Sequence, residues 1–145
     1  MTETMRFSLI KPTINTPFHI DFDWWRNHDQ NWRVFLFSFL CAEHQSSFEN
    51  LDQNTCIDWV DPLTAEISRI DGIQHALMAH CARQQGFLSE TTTLVNAVFR
   101  VFLSNGNKPL TPAELSEIIN KPPDKILQTL SGPRVYQGIR PLQIN

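Results

Sequence analysis

Cys41, His44, Cys56, His75, His80 and Cys81 are the residues of this chain best equipped for chemistry, because thiolates and imidazoles are the ligands zinc prefers. Cys41-x-x-His44 puts two donors on one face of a helix, a workable half-site. The other half has no Cys-x-x-Cys pairing, and His80 and Cys81 would point about 100° apart if both were helical. Cysteine is also commonly buried without any metal. The spacing therefore favours buried thiols and partly exposed imidazoles, with no metal centre and no cofactor. A second set, Asp21, Asp23, Asp58, Asp61 and Glu66, has the chemistry of a nuclease-type magnesium site, with Asp21 and Asp23 on one strand face. Glu66 is followed by Ile67, Ser68 and Arg69 and not by the lysine such a site would add. Asp61-Pro62 and Asp71-Gly72 read better as turn and cap chemistry. No Gly-rich phosphate loop and no recognisable nucleophile motif is present, so no enzymatic activity is expected.

The elements that must position these groups are those of an ordinary folded chain. Its 145 residues are 41% hydrophobic and 19% charged, with net charge −3. That excludes a disordered chain and allows one sizeable core or two small ones. The start, MTETMRFSLIKP, has no basic flank followed by an apolar run, and Val34 to Ala42 is too short to span a membrane. Three cysteines without a disulfide-rich framework suit a reducing compartment, so a cytoplasmic location is expected.

Residues 1–88 read as an α+β unit. Thr16 to Trp25 alternates Phe18, Ile20, Phe22 and Trp24 with His19, Asp21 and Asp23, the period of a half-buried strand. Asn27, with Gln30 three residues on, opens a helix whose Trp32, Phe35, Leu36, Phe39 and Leu40 fall at helical spacing. Val34, Phe37 and Cys41 add apolar surface, so this helix is expected to be buried on most faces, or to form part of a dimer interface. Gln45 to Gln53 is polar and reads as a loop. Thr55–Trp59 and Ala65–Ile70 form a hairpin around Asp61-Pro62-Leu63-Thr64. Asp71 caps a helix from about Gly72 to Gln84, with Ile73, Leu77, Met78 and Cys81 inward. Ser89 to Thr92 is the expected junction with a second unit, residues 89–145.

That second unit carries the most specific pattern. Leu94, Val98, Phe99, Val101, Phe102 and Leu103 make an apolar helix that ends in Ser104-Asn105-Gly106-Asn107. Lys108-Pro109-Leu110 follows as a short strand. Thr111 and Glu114 have the spacing of a capping box, and Pro112 takes the first helical position. Ser116 is small where two helices must cross, Asn120 suits a left-handed helix end, and Ile126 anchors the next helix, which Pro123 opens. Leu115, Ile119, Leu127 and Leu130 complete the apolar face. Ser131-Gly132-Pro133 stops the helix, and Arg134 to Arg140 reads as a strand, or a strand pair bent at Gly138. The segment resembles the winged helix-turn-helix superfamily of DNA-binding domains over about a third of the chain.

The resemblance implies that the second helix enters the major groove of double-stranded DNA. Lys125, Gln128 and Thr129 are its outward polar positions, Lys121 sits in the turn, and Arg134 and Arg140 would reach phosphates from the wing. Residues 97–145 hold six basic residues against three acidic ones, net +3, so the acidic excess lies in the N-terminal part. The expectation is an α+β protein that binds DNA as a homodimeric transcriptional regulator. The alternative is an adaptor whose winged helix docks protein partners, which the absence of arginine from that helix and the acidic Asp124 favour. Metal-responsive and nuclease-like roles are minor alternatives.

Overall fold

The computed structural model describes residues 11–48, 56–61, 63–88 and 93–142. It is an α+β fold of short helices and two small antiparallel sheets. In order, the elements are β1 (Phe18–Ile20), α1 (Phe22–His28), α2 (Trp32–Phe37), α3 (Ala42–Ser47), β2 (Cys56–Val60), β3 (Ile67–Asp71), α4 (Gly72–Ala79), α5 (Leu94–Ser104), α6 (Pro112–Ile119), α7 (Pro123–Leu130) and β4 (Ile139–Pro141). A 3-10 turn, Cys81–Arg83, follows α4. No described helix is long and apolar enough to cross a membrane.

The expected strand Thr16–Trp25 is only three residues long. Phe18 and Ile20 point into the core as the alternation requires, and then Asp21 stops it. Its Oδ1 accepts the Trp24 backbone N–H at 3.0 Å, which makes Asp21 the N-cap of α1. From there the apolar pattern serves a helix, and Trp25 is the residue it buries. Asp29 ends α1 and accepts the Trp25 indole N–H at 3.2 Å. The next helix therefore begins at Trp32 and not near Asn27. Trp32, Leu36 and Leu40 are buried at a spacing of four, with Phe35 and Phe39 half-buried beside them. Val34 is 53% exposed, so α2 has an open face and is not enclosed on most sides.

The expected hairpin forms, with Asp58 opposite Arg69, and Asp61 accepts the Leu63 N–H at 2.8 Å in its turn. Gln45 to Ser47 lies in α3 and not in a loop, while residues 49–55 and 89–92 fall outside the described residues. Asp71 caps α4 as expected, with Oδ1 on the Ile73 N–H at 2.8 Å. Its Oδ2 meets Arg33 Nε at 2.9 Å, fastening α4 to α2.

The C-terminal helices form where the sequence places them. Thr111 and Glu114 complete the capping box, and Asn120 is left-handed at φ 59°. Ser116 does more than stay small: its hydroxyl donates to the Lys121 carbonyl at 2.6 Å across the turn. Leu115, Ile126 and Leu130 are buried on the shared face.

The expected wing differs. Arg134 to Gln137 is not strand, and β4 pairs antiparallel with β1 from the other end of the chain, Ile20 opposite Ile139. On its other edge β1 bonds Leu110, with N–H···O distances of 2.8 and 3.0 Å. Asn107 extends that edge, its carboxamide accepting from the Ile20 N–H at 2.9 Å and donating to the Ile20 carbonyl at 2.8 Å. A side chain thus does the work of one more strand residue. Segments on both sides of residue 88 share this ladder and one buried cluster, from Phe18 through Leu77 and Phe99 to Ile139.

Gly138 is where β4 turns in. It has φ +74°, and a Cβ there would lie 2.9 Å from the Trp25 Cβ and 3.3 Å from the Asp21 carbonyl. Gly138→Ala is expected to destabilise by about 1–3 kcal/mol, from left-handed strain and overpacking together. The urea midpoint at unchanged m-value reads this directly, and an unmoved midpoint would contradict the packing.

Candidate functional site

Two regions concentrate functional side chains, and the tighter is a cluster of sulfur and nitrogen donors where α3 meets the end of α4. The turn Ser38–Leu40 leads out of α2, with the Phe39 and Leu40 N–H groups bonded three residues back at 3.0 Å each. It delivers Cys41 as the N-cap of α3 in an extended conformation, φ −69° and ψ 164°. An N-cap side chain naturally reaches toward the third helical residue, the geometry capping boxes exploit. Here that residue is His44, and Cys41 Sγ lies 3.3 Å from His44 Nδ1.

The other two donors come from the end of α4. The helix stops at Ala79, and His80 takes φ −135° and ψ −63°, outside helical space. The rotation of about 100° between neighbours holds only along a continuous helix. With it broken at His80, His80 and Cys81 turn to the same side. Cys81 Sγ is 3.4 Å from Cys41 Sγ and 3.4 Å from His44 Nδ1, and Cys41 Sγ is 3.7 Å from His80 Nδ1. All four donor atoms lie within 4.8 Å of one another. The Arg83 guanidinium donates to the Met78 carbonyl at 3.1 Å, which braces this broken helix end.

Cys81 is buried, Cys41 and His44 are half-buried, and His80 is exposed at the rim. Burial is the main cause that pushes the Cys81 thiol up to about 11, opposed by the Cys41 backbone N–H. Both cysteines are free thiols. All four residues are candidate ligands by type, and only their spacing along the chain argues against a joint site. No Gly or Pro stands at position 80 to announce the helix end, so the signal that would join the two halves is absent from the sequence. Of the remaining candidates, His75 packs its ring against Trp59, centroids 6.0 Å apart, and the Cys56 side chain lies outside the described residues.

The carboxylates do not assemble. Asp21 caps α1 and pairs with Arg140 at 3.0 Å, and Asp23 pairs with Arg26 on the surface. Asp58 lies beside Arg69 and Asp61 holds its turn. Among the described residues the Cys–His cluster is the only group with metal-binding proximity.

The second region is the outer face of α7. Lys121, Lys125 and Gln128 are exposed, as is Asp124 in the first turn. Thr129 is half-buried, and its hydroxyl donates back to the Lys125 carbonyl at 2.9 Å. Arg134 is exposed, its guanidinium 5.2 Å from the centre of the Tyr136 ring. Arg140 is not a wing residue. It sits on β4, ion-paired with Asp21 and stacked 5.1 Å from the Trp24 ring centre, which commits its charge to the fold. Opposite it in the ladder, His19 is held below its ordinary value, mainly by burial, with Asp21 opposing and the Arg140 charge adding. The outer face of α7 and its flanks therefore keep Lys121, Lys125, Gln128 and Arg134 from the expected set. No protein-family model, no curated protein and no solved structure matches this chain.

Proposed function

We propose that this protein binds double-stranded DNA as a transcriptional regulator, presenting α7 to the major groove. The observation that carries the reading is the division of α7 into two faces. Ile126 and Leu130 are buried against the rest of the core, while Lys125 and Gln128 stand exposed on the outer side. Lys121 before the helix and Arg134 after it add positive charge at both ends. Lysine and glutamine are residue types that read base edges, and flanking cations neutralise phosphates. Action as a homodimer belongs to the same proposal, since paired recognition helices address two half-sites. The β2–β3 hairpin supports it by exposing Val60 and Ile67, cross-strand partners, together with Leu63 at its tip.

Mobility-shift titration against random DNA fragments over a salt series tests the proposal. Binding should weaken as salt rises, through counterion release. Lys125→Ala or Gln128→Ala should change the preferred sequence, with a loss of about 1–3 kcal/mol at one base position. Lys121→Ala or Arg134→Ala should weaken binding to all sequences alike and flatten the salt slope by about one unit each. No affinity at low salt, or four variants that all bind like wild type, would transfer the surface to the adaptor reading, in which α7 meets a protein.

A further inference from the structure

We propose that Cys41, His44, His80 and Cys81 form a structural zinc site, with Cys41 Sγ, His44 Nδ1, His80 Nδ1 and Cys81 Sγ as the four ligands. Distance supports this first. Zinc–sulfur bonds of about 2.3 Å and zinc–nitrogen bonds of about 2.0–2.1 Å in a tetrahedron hold the ligand atoms roughly 3.3–3.8 Å from one another. Four of the six separations in the cluster are 3.3, 3.4, 3.4 and 3.7 Å, and all six lie within 4.8 Å. Four donors from two separate segments meet at the spacing of a shared cation.

Neither a disulfide nor ordinary hydrogen bonding needs that arrangement. A disulfide would use the two sulfurs alone, at about 2.05 Å, and would have no use for two imidazole nitrogens aimed at the same point. Hydrogen bonding would spread the four groups among partners, whereas the side-chain polar contacts of Cys41 and Cys81 among the described residues run within the set. A two-sulfur, two-nitrogen tetrahedron is the donor set of zinc, and magnesium and calcium prefer oxygen.

Charge supports the same ion. Two thiolates and two neutral imidazoles around Zn²⁺ sum to zero, which suits a site with one ligand buried and two half-buried. Binding releases the two thiol protons to solvent and changes no oxidation state. With all four positions taken by protein, no place is left for a reacting water, so the role is structural and not catalytic. The metal would join the start of α3 to the end of α4, elements otherwise linked through the β2–β3 hairpin segment. This holds whether or not α7 meets DNA.

The test is metal content and spectroscopy on the full chain, prepared under reducing conditions. About one zinc per chain is expected. Replacement by Co²⁺ should give the intense visible bands of a tetrahedral ion together with thiolate-to-cobalt charge transfer. Cys41→Ser and Cys81→Ser should each lower zinc affinity by more than about 100-fold, beyond what loss of an outer-shell partner does. His75→Gln, outside the cluster, should leave it unchanged. Should the serine variants fail to fold, protection of two thiols from alkylation by zinc in the wild-type chain gives the same answer. No zinc uptake by the folded reduced protein overturns the site. So does iron or copper in place of zinc, an octahedral cobalt spectrum, or a Cys41–Cys81 disulfide in the protein as isolated.

Discussion

Replacing Phe99 with alanine is expected to lower the unfolding free energy by about 3–5 kcal/mol, the range for a fully buried phenylalanine whose cavity cannot collapse. Phe99 has no exposed surface and stands at the centre of the aromatic cluster. Its ring centre is 5.6 Å from Trp25, 5.7 Å from Phe35 and 5.2 Å from Phe39, in edge-on and tilted arrangements. Such pairs add about 0.5–1.5 kcal/mol beyond area burial, so the loss should fall in the upper part of the range. Helical spacing alone predicts the same 3–5 kcal/mol range for Phe35→Ala and Phe39→Ala. In the structure both rings are half-buried at the rim of the cluster, and Phe39 has the Arg100 guanidinium 4.8 Å above its face. Their losses should therefore be clearly smaller than that of Phe99. Chemical denaturation of the three variants gives the order. Equal losses would mean that the cluster has no centre, and an unmoved midpoint for Phe99→Ala would mean that α5 is not the core helix.

That ordering shows what a sequence can carry. Periodicity finds the face of a helix, and Trp32, Leu36 and Leu40 are buried four residues apart. It does not say how deep each residue of the face sits, because depth depends on what packs opposite. Local rules fare best where one residue type does one job. Thr111 and Glu114 make their capping box, Asn120 is left-handed, Asp71 caps α4, and the hairpin turns at Asp61. They fare worse where a residue has two jobs. Asp21 lies on the polar face of an alternating run, yet it ends that strand, caps α1 and holds Arg140. Long-range pairing is the least legible. Nothing local in Ile139-Arg140-Pro141 names Phe18-His19-Ile20 as its partner, so the ladder that replaces the expected wing has no local signature. The same limit hides the cluster. Cys41-x-x-His44 is visible as a half-site, but joining it to His80 and Cys81 requires a helix end that no glycine or proline marks.

If zinc occupies that cluster, the second large effect is on stability, and it should depend on metal concentration. A ligand that binds only the folded chain stabilises it by about 4 kcal/mol when its free concentration is about 1,000 times Kd. For a chain of this length that corresponds to a rise of roughly 10–15 °C in Tm between chelated and zinc-saturated protein. The coupling is expected because the α3 half of the site is not held by strong packing of its own, while Cys81 and Ala82 on the other half are buried in the core. α3 buries no residue fully, and its described ties to the rest of the fold are the Cys41 and His44 contacts within the cluster, the Gln45 side-chain amide on the Phe37 carbonyl at 3.5 Å, and half-buried Phe48 at its end against the core. Chelation should therefore loosen α3 first, seen as faster amide exchange there, while α5 with Phe99 and Phe102 stays protected. The metal-dependent increment should also shrink in acid, since protons compete for the thiolates and imidazoles that bind the ion. Chelated protein sits at the low-stability end already, so acid has no metal increment left to remove from it. Calorimetry with and without chelator, repeated at neutral and mildly acidic pH, reads both effects. A Tm indifferent to chelator would leave the four side chains as neighbours only, and uniform loss of exchange protection would place the metal's effect in the whole fold instead of at α3.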